Sequence, residues 1–597
     1  MTRNTTHAQT RNRNAFRTLL TTRAATTLVA AATFTAPALA QWFTNAQKLH
    51  DPFAPSEAVE MEFDSIRRGY VYLGGIFNAP QIPPPNRRPF MVRMDGDYNP
   101  NMTVEYIRPG ENMSPPPYSD QLFMTLTDMA ATSDLGFIIC GRYEEGDEFG
   151  GGQLTFGSFI LKVDANFQVQ WYNQYREINQ FNAITEMTNA DGTPMYVVCG
   201  EDALPGENTL SAIAYGVDFS GNYIWGRAVW GDKFGIRGFA RYADVIPYDG
   251  MTVALTGNAN DATFTGYSER DALVSKIDIF GNIVFNRIYG DSLFNTGGNI
   301  FGILESGASL TLDSGTGDLI VAGNVGTRCV NACGPVSYDD LLSFRIDPVG
   351  NVLWSNQYDL QGFPEAAVQI KTASPPTTFV IAADVTTTYR TGTSNPSQDI
   401  GLFRLTPAGA LAFTTEVFGS NGNEYAAGIL QNGSPVNVVA QILGSTWGFN
   451  VSYLRPYVIE RLNSFRRRCA DAPANTTITP HPLPEWEARE QIIDLVVEPK
   501  PLVALQIPIT QRVICAKIRL GDLNIDGVVS VGDISAFVLA LTNPTAYTDQ
   551  YPEGDLLIAD TNEDGVVSVG DISSFVAILT APPSPDAGSD DNADGTP

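Results

Sequence analysis

A strand, turn, strand phrase repeated seven times and a calcium-loop signature written twice near the C-terminus predict a mainly β protein, an about seven-bladed β-propeller followed by a small α-helical domain of tandem calcium loops. The phrase reads PFMVRMDGDYN around Asp95, FILKVDANFQVQW around Asp164, AYGVDFSGNYIW around Asp218, LVSKIDIFGNIVF around Asp278 and LSFRIDPVGNVLW around Asp347. Weaker copies are GLFRLTPAGALAF around Thr406 and YVIERLNSF around Leu462. Centres fall 54 to 69 residues apart, a repeat length that suits propeller blades with loop insertions.

In each copy apolar and polar residues alternate up to an Asp, a turn with Gly or Asn reverses the chain, and a second alternating run ends in Trp or Phe. That is hairpin chemistry: Asp and Asn bond nearby backbone, Gly accepts positive φ, and the aromatic packs on a neighbouring face. A second phrase precedes each hairpin: YVYLGG from Tyr70, GFIICG from Gly136, MYVVCG from Met195, TVALTG from Thr252, DLIVAG from Asp318 and FVIAAD from Phe379. These apolar runs read as fully buried strands. About four strands per unit, stacked radially, bury their faces on one another. A linear β-solenoid is the competing arrangement. The hairpin phrase, over about residues 60 to 465, loosely resembles bacterial propeller repeats of the form kiD.xGnxxW.

Residues 1–40 read as a cleaved secretory signal: five arginines without an acid, a short apolar run from Ala24 to Ala36, and Ala38-Leu39-Ala40 before Gln41. An uncleaved anchor is the alternative, and no later stretch suits a membrane helix. A lead at 41–58 precedes the propeller repeats at 59–468. Next come a Pro-rich connector or β-hairpin at 469–516, the calcium-loop domain at 517–581 and an acidic tail at 582–597 expected to be disordered. Formal net charge is −28, which disfavours nucleic acid and anionic lipid as partners. Of six cysteines, Cys329 with Cys333 and Cys469 with Cys515 are the candidate disulfides, whereas Cys140 and Cys199 occupy equivalent repeat positions and read as small buried apolar residues.

The duplicated segments are DLNIDGVVSVGDIS from Asp522 and DTNEDGVVSVGDIS from Asp560. Acids and amides at loop positions one, three and five, Gly at six, Ser at nine and Asp at twelve give a hard cation the oxygen ligands and sharp turn it requires. The first loop offers Asp522, Asn524, Asp526, the Val528 carbonyl, Ser530 and Asp533; the second offers Asp560, Asn562, Asp564, the Val566 carbonyl, Ser568 and Asp571. Two calcium ions are expected. After each loop Ile534, Phe537, Val538 and Leu541, or Ile572, Phe575, Val576 and Leu579, recur at helical spacing, which predicts a helix with one apolar face.

Asp at position twelve and a single helix after each loop resemble a type I dockerin. The resemblance implies docking to a cohesin-like or other surface protein through loop positions ten and eleven and the following helix. Those positions are Val531 with Gly532 and Val569 with Gly570, where cellulosomal dockerins typically carry Ser or Thr. The helix sites often basic in that family are Val538 with Leu539 and Val576 with Ala577.

After residue 40 the only histidines are His50 and His481, which argues against histidine triads and multi-histidine zinc sites. The densest acidic cluster, Glu144, Glu145, Asp147 and Glu148, reads as a solvated loop. Together these features point to a secreted or cell-surface calcium-binding protein whose propeller binds a protein or glycan. A secreted carbohydrate-active enzyme, hydrolase or lyase, with propeller-borne carboxylates is the second reading. A structural surface component is the third.

Overall fold

The computed structural model describes residues 45–50, 56–63, 71–79, 86–94, 100–107, 121–146, 155–176, 178–207, 209–232, 237–259, 270–290, 294–296, 299–329, 340–360, 364–373, 378–387, 397–412, 415–418, 424–434, 437–446, 455–461, 471–474, 476–506, 510–515, 521–524, 529–551, 556–562 and 567–580. The chain is mainly β, with short helices towards its C-terminal end. The leader and the acidic tail lie outside the described residues.

The first six copies of the repeated phrase each form two adjacent strands of an antiparallel sheet, its third and fourth counted from the strand nearest the next sheet. The seventh, around Leu462, supplies only the third, Arg455–Arg461, and its expected hairpin is not formed because the partner strand is Asn45–His50. Asp218 Oδ1 accepts the Ser220 and Asn222 amides, both at 2.8 Å, and Asn222 Nδ2 donates to Oδ2 at 3.0 Å. Asp278 with Asn282, and Asp347 with Asn351, repeat these bonds. The aromatic that closes the phrase serves the next sheet: Trp171, Trp225 and Trp354 each donate Nε1 at 2.9 Å to a turn carbonyl one unit ahead, on Phe219, Ile279 and Pro407. The basic residue before the turn braces its own sheet, Lys162 on Asp134 at 2.9 Å and Arg345 on Asp313 at 2.8 Å. The recurring letters are therefore hairpin and inter-sheet fasteners.

Among the described residues there are seven such sheets. Their first strands are Ser56–Phe63, Gln121–Ala131, Gln180–Thr188, Ala240–Pro247, Asn299–Asp313, Glu365–Ala373 and Glu424–Ser434, which define sheets 1 to 7. Each first strand touches that of the next sheet, and the last touches the first, so the contacts close a cycle. The second phrase supplies the second strand of its sheet, as in Pro194–Ala203 and Thr252–Ala259. Sheet 7 is completed by the chain's own start: Asn45–His50 pairs with Arg455–Arg461. The expected lead at 41–58 is thus part of two sheets.

The segment 469–516 differs from expectation. Its strands pair neither with one another as a hairpin nor run free as a connector. Asp471–Ala474 joins sheet 6, Thr477–Pro480 sheet 5, Glu485–Glu487 sheet 4, Arg489–Ile492 sheet 3, Glu498–Pro499 sheet 2, Val503–Gln506 sheet 1 and Thr510–Cys515 sheet 7. This belt adds an outermost antiparallel strand to every sheet, in reverse order, so each has at least five strands where about four were expected. Pro480, Pro482, Pro484, Pro499 and Pro501 explain why the pieces are short, because proline offers no amide to a ladder. A proline-broken outer strand also blunts pairing with another molecule.

Cys140 and Cys199 are free and fully buried, and burial pushes both thiols up. Cys333 and Cys469, one from each candidate disulfide, lie outside the described residues.

Candidate functional site

Two regions gather chemistry-bearing side chains: the duplicated loops and the axis around which the first strands meet. In the loops the structure places Asp522, Asn524, Ser530, Asp533, Asp560, Asn562, Ser568 and Asp571, while Asp526, Val528, Asp564 and Val566 lie outside the described residues.

Both halves are built alike. Asp533 accepts the Asn524 amide on Oδ1 at 3.0 Å and the Ser530 amide on Oδ2 at 2.7 Å; Asp571 does the same for Asn562 at 3.0 Å and Ser568 at 2.8 Å. Position twelve therefore ties positions three and nine together. Ser530 and Ser568 then cap the turn, each accepting from the amide two residues on at 3.0 and 3.1 Å. Asn524 Nδ2 and Asn562 Nδ2 lie 3.1 Å from where a Cβ would stand on Gly532 and Gly570, so a larger residue at position eleven would push the amide side chain aside.

The helices α1 (Ile534–Thr542) and α3 (Ile572–Thr580) follow as expected, with an additional helix α2 (Pro544–Gln550) between them. Their buried face differs from expectation. Phe537 and Phe575 stack with ring centroids 4.0 Å apart, and Ala536, Ala540 and Tyr547 join them. Ile534, Val538, Ile572 and Val576 are exposed instead. Small Ala536 and Ala540 allow close packing on the side that the larger residues were expected to fill.

The electrostatics of this domain are one-sided. Asp522, Asp533, Asp560 and Asp571 are each at most 1% exposed. From residue 520 to the C-terminus the sequence has no Lys, Arg or His. Buried carboxylates require a counter-charge or dense donors, and backbone amides supply donors to Asp533 and Asp571. The surrounding donor set is oxygen-rich and hard, which fits calcium.

At the axis a cavity of about 350 Å³ is lined by Thr127, Asp128, Asn182, Asp244, Ser309 and Lys371 among others. Every first strand carries a bulge at the same place, opposite the glycine or alanine of the second strand, as between Leu126 and Asp128 or between Tyr242 and Asp244. The residue after the bulge staples sheets together. Asp128 Oδ2 accepts the Ile184 amide of the next sheet at 2.7 Å, and Oδ1 accepts the Met129 amide at 2.8 Å. Asp244 Oδ2 accepts the Leu310 amide at 3.0 Å and the Ser309 hydroxyl at 2.6 Å, while Oδ1 takes the Val245 amide at 2.8 Å. Gln369 accepts the Ile429 amide at 2.5 Å. Sequence reading missed these carboxylates; a lone acid inside an otherwise apolar strand was the available signal.

In Asp128 and Asp244 both oxygens accept hydrogen bonds, one of them from the next sheet. Asp128→Ala is therefore expected to cost about 1–3 kcal/mol in urea unfolding, because it strands the Ile184 amide. The acidic cluster is also structural where described: Glu144 pairs with Arg142 at 3.2 Å and Glu145 accepts Gln174 Nε2 at 3.4 Å, while Asp147 and Glu148 lie outside the described residues. His481 lies on the belt with Nε2 3.1 Å from Glu305 Oε1, and His50 is in the strand that completes sheet 7.

No protein-family model matches this chain, and no curated protein matches it. Among solved structures it is similar to a polysaccharide lyase at 10% identity, covering 70% of this chain and 99% of that one with a TM-score of 0.36. A protein of unknown function from Dyadobacter fermentans matches at 10% identity, covering 71% and 100%, also with a TM-score of 0.36. An exo-1,5-alpha-L-arabinanase from a bovine ruminal metagenomic library matches at 11%, covering 50% and 97%, with a TM-score of 0.20. Likeness at this level says nothing of activity.

Proposed function

We propose that this chain is an exported, calcium-loaded binding protein: a seven-bladed β-propeller that takes a protein or glycan ligand, joined to a dockerin-like module that docks it to a surface partner. The observation that carries the reading is the set of four buried loop carboxylates in a segment without a single basic residue. Calcium would supply positive charge to the clustered carboxylates and draw the loop oxygens together, so that folding of the module and ion binding are one event. The ligands would be Asp522, Asn524, Asp526, Val528, Ser530 and Asp533 in one loop and Asp560, Asn562, Asp564, Val566, Ser568 and Asp571 in the other.

The propeller reading is supported by seven antiparallel sheets whose first strands touch in a closed cycle. A docking role is supported by matched exposed apolar residues on the two halves, Val531, Ile534 and Val538 with Val569, Ile572 and Val576. Among the described residues no helix is long and apolar enough to cross a membrane, so attachment falls to the module. A binding role rather than catalysis is supported by Asp128 and Asp244, whose oxygens accept backbone amides and, for Asp244, the Ser309 hydroxyl.

The test is a polysaccharide panel with detection of new reducing ends and of unsaturated products. Saturable retention without bond cleavage is expected. Cleavage that disappears in Asp128→Asn or Asp244→Asn would establish the carbohydrate-active enzyme instead.

A further inference from the structure

Two acids recur in register where consecutive sheets meet. Seven residues before the turn Asp278, and again before Asp347, the third strand begins with Asp271 and Asp340. Three residues before the bulges at Ala308 and Val368 in the following sheets stand Glu305 and Glu365. The equivalent positions between sheets 2 and 3 hold Gly157 and Asn179, and those between sheets 3 and 4 hold Ser211 and Ala240. Within this one chain, an acid at the first position goes with an acid at the second.

The seam between sheets 5 and 6 shows the consequence. Glu365 is 1% exposed and Asp340 7%. Glu365 Oε1 accepts the Leu360 amide at 3.2 Å, the Leu341 amide also faces the carboxyl, and Oε2 is buried without a well-aligned hydrogen bond among the described residues. Asp340 Oδ2 accepts from Gln357 Nε2. Among the described residues the charges that face Glu365 are Asp340, at the start of its strand, and Asp359, at the end of Val352–Asp359, and both are negative. An ionised Glu365 would be buried against two acids, whereas a protonated one has a hydrogen to donate.

We propose that the seam between sheets 5 and 6 is a proton-dependent latch, closed by Glu365 in its acid form beside the Asp340 carboxylate and opened when that proton is lost in alkali. Burial, then the Asp340 charge, push the Glu365 carboxyl up to about 9. In the unfolded chain the same group ionises near 4.5. The folded state thus holds one more proton between about pH 4.5 and 9. The stability the group contributes is full below about 4.5 and is lost steadily as pH rises towards 9. Asp384, pushed up to about 6 by burial, adds the same sign over a lower window.

The full chain is unfolded in urea from pH 5 to 10 as wild type and as Glu365→Gln, with hydrogen exchange of the seam peptides read in parallel and corrected for intrinsic rate. Wild type is expected to lose up to tenfold in folding constant per pH unit more than E365Q across this window. Its peptides spanning 340–346 and 364–373 are expected to lose protection above about pH 9 before those spanning 194–203. In Asp340→Asn, which lifts the opposing charge, the pH dependence is expected to end at a lower pH. Identical pH curves for wild type and E365Q would overturn the latch. If E365Q does not fold, an Asp340→Asn curve superimposable on wild type would overturn it equally.

Discussion

Trp225→Ala is expected to lower the stability of the ring by about 3–5 kcal/mol, the largest effect of any single side chain here outside the calcium loops. The indole is 5% exposed and wedged between glycines: a Cβ on Gly216 would stand 2.4 Å from Nε1, and one on Gly281 would stand 2.8 Å from the ring. Gly281 also turns at φ +80°, where other residues are strained. Two glycine surfaces cannot grow to fill the space an alanine leaves, so the cavity persists and the Ile279 carbonyl loses its donor. Urea unfolding at fixed pH measures the loss. A change below about 1 kcal/mol would mean the interlock between sheets 3 and 4 is not the fastener described.

Asp571→Ala is expected to remove one of two calcium ions and to abolish the calcium dependence of the second loop. The side chain holds two amides of its own loop and is fully buried, so its loss also unties Asn562 from Ser568. A site filled to a thousand times its dissociation constant contributes about 4 kcal/mol to the fold that binds it. Thermal melting of the full chain in millimolar calcium should therefore show the module's transition displaced downward in the variant. In excess chelator the difference from wild type should shrink to that of the lost hydrogen bonds.

What could be read from the sequence follows from where the bonds are made by side chains. The turn Asp, the Gly at positive φ and the closing Trp act through side chains or φ at fixed spacing, so the third and fourth strands were legible in six copies. The seventh, around Leu462, has neither Asp nor Gly at its turn, and its strand pairs with Asn45–His50 instead. The second strands were legible because, where their side chains are described, they are buried on both faces, as the pattern of Thr252–Ala259 shows. The first strands escaped notice because a bulge breaks their alternation and residues such as Asp128 and Asp244 interrupt their apolar character. The belt was illegible for a different reason. Its pieces are two to six residues long and pair through backbone with strands as much as 469 residues away, as Ala46 does with Cys515.

The loop motif itself was plain, since each described ligand position is a named residue type at a fixed offset. The helix faces were not, because spacing alone cannot choose between Phe537 with Ala540 and Ile534 with Val538 as the inner pair. Packing decided it: the two phenylalanines stack face to face and leave the branched residues outside.

The most direct test is calorimetric titration of the intact, chelator-stripped chain with calcium. Two bound ions per chain are expected, with heat and helix signal rising together as the loops close on them. A chain that binds none, while its C-terminal helices remain folded, would contradict the view that buried loop carboxylates are held by calcium.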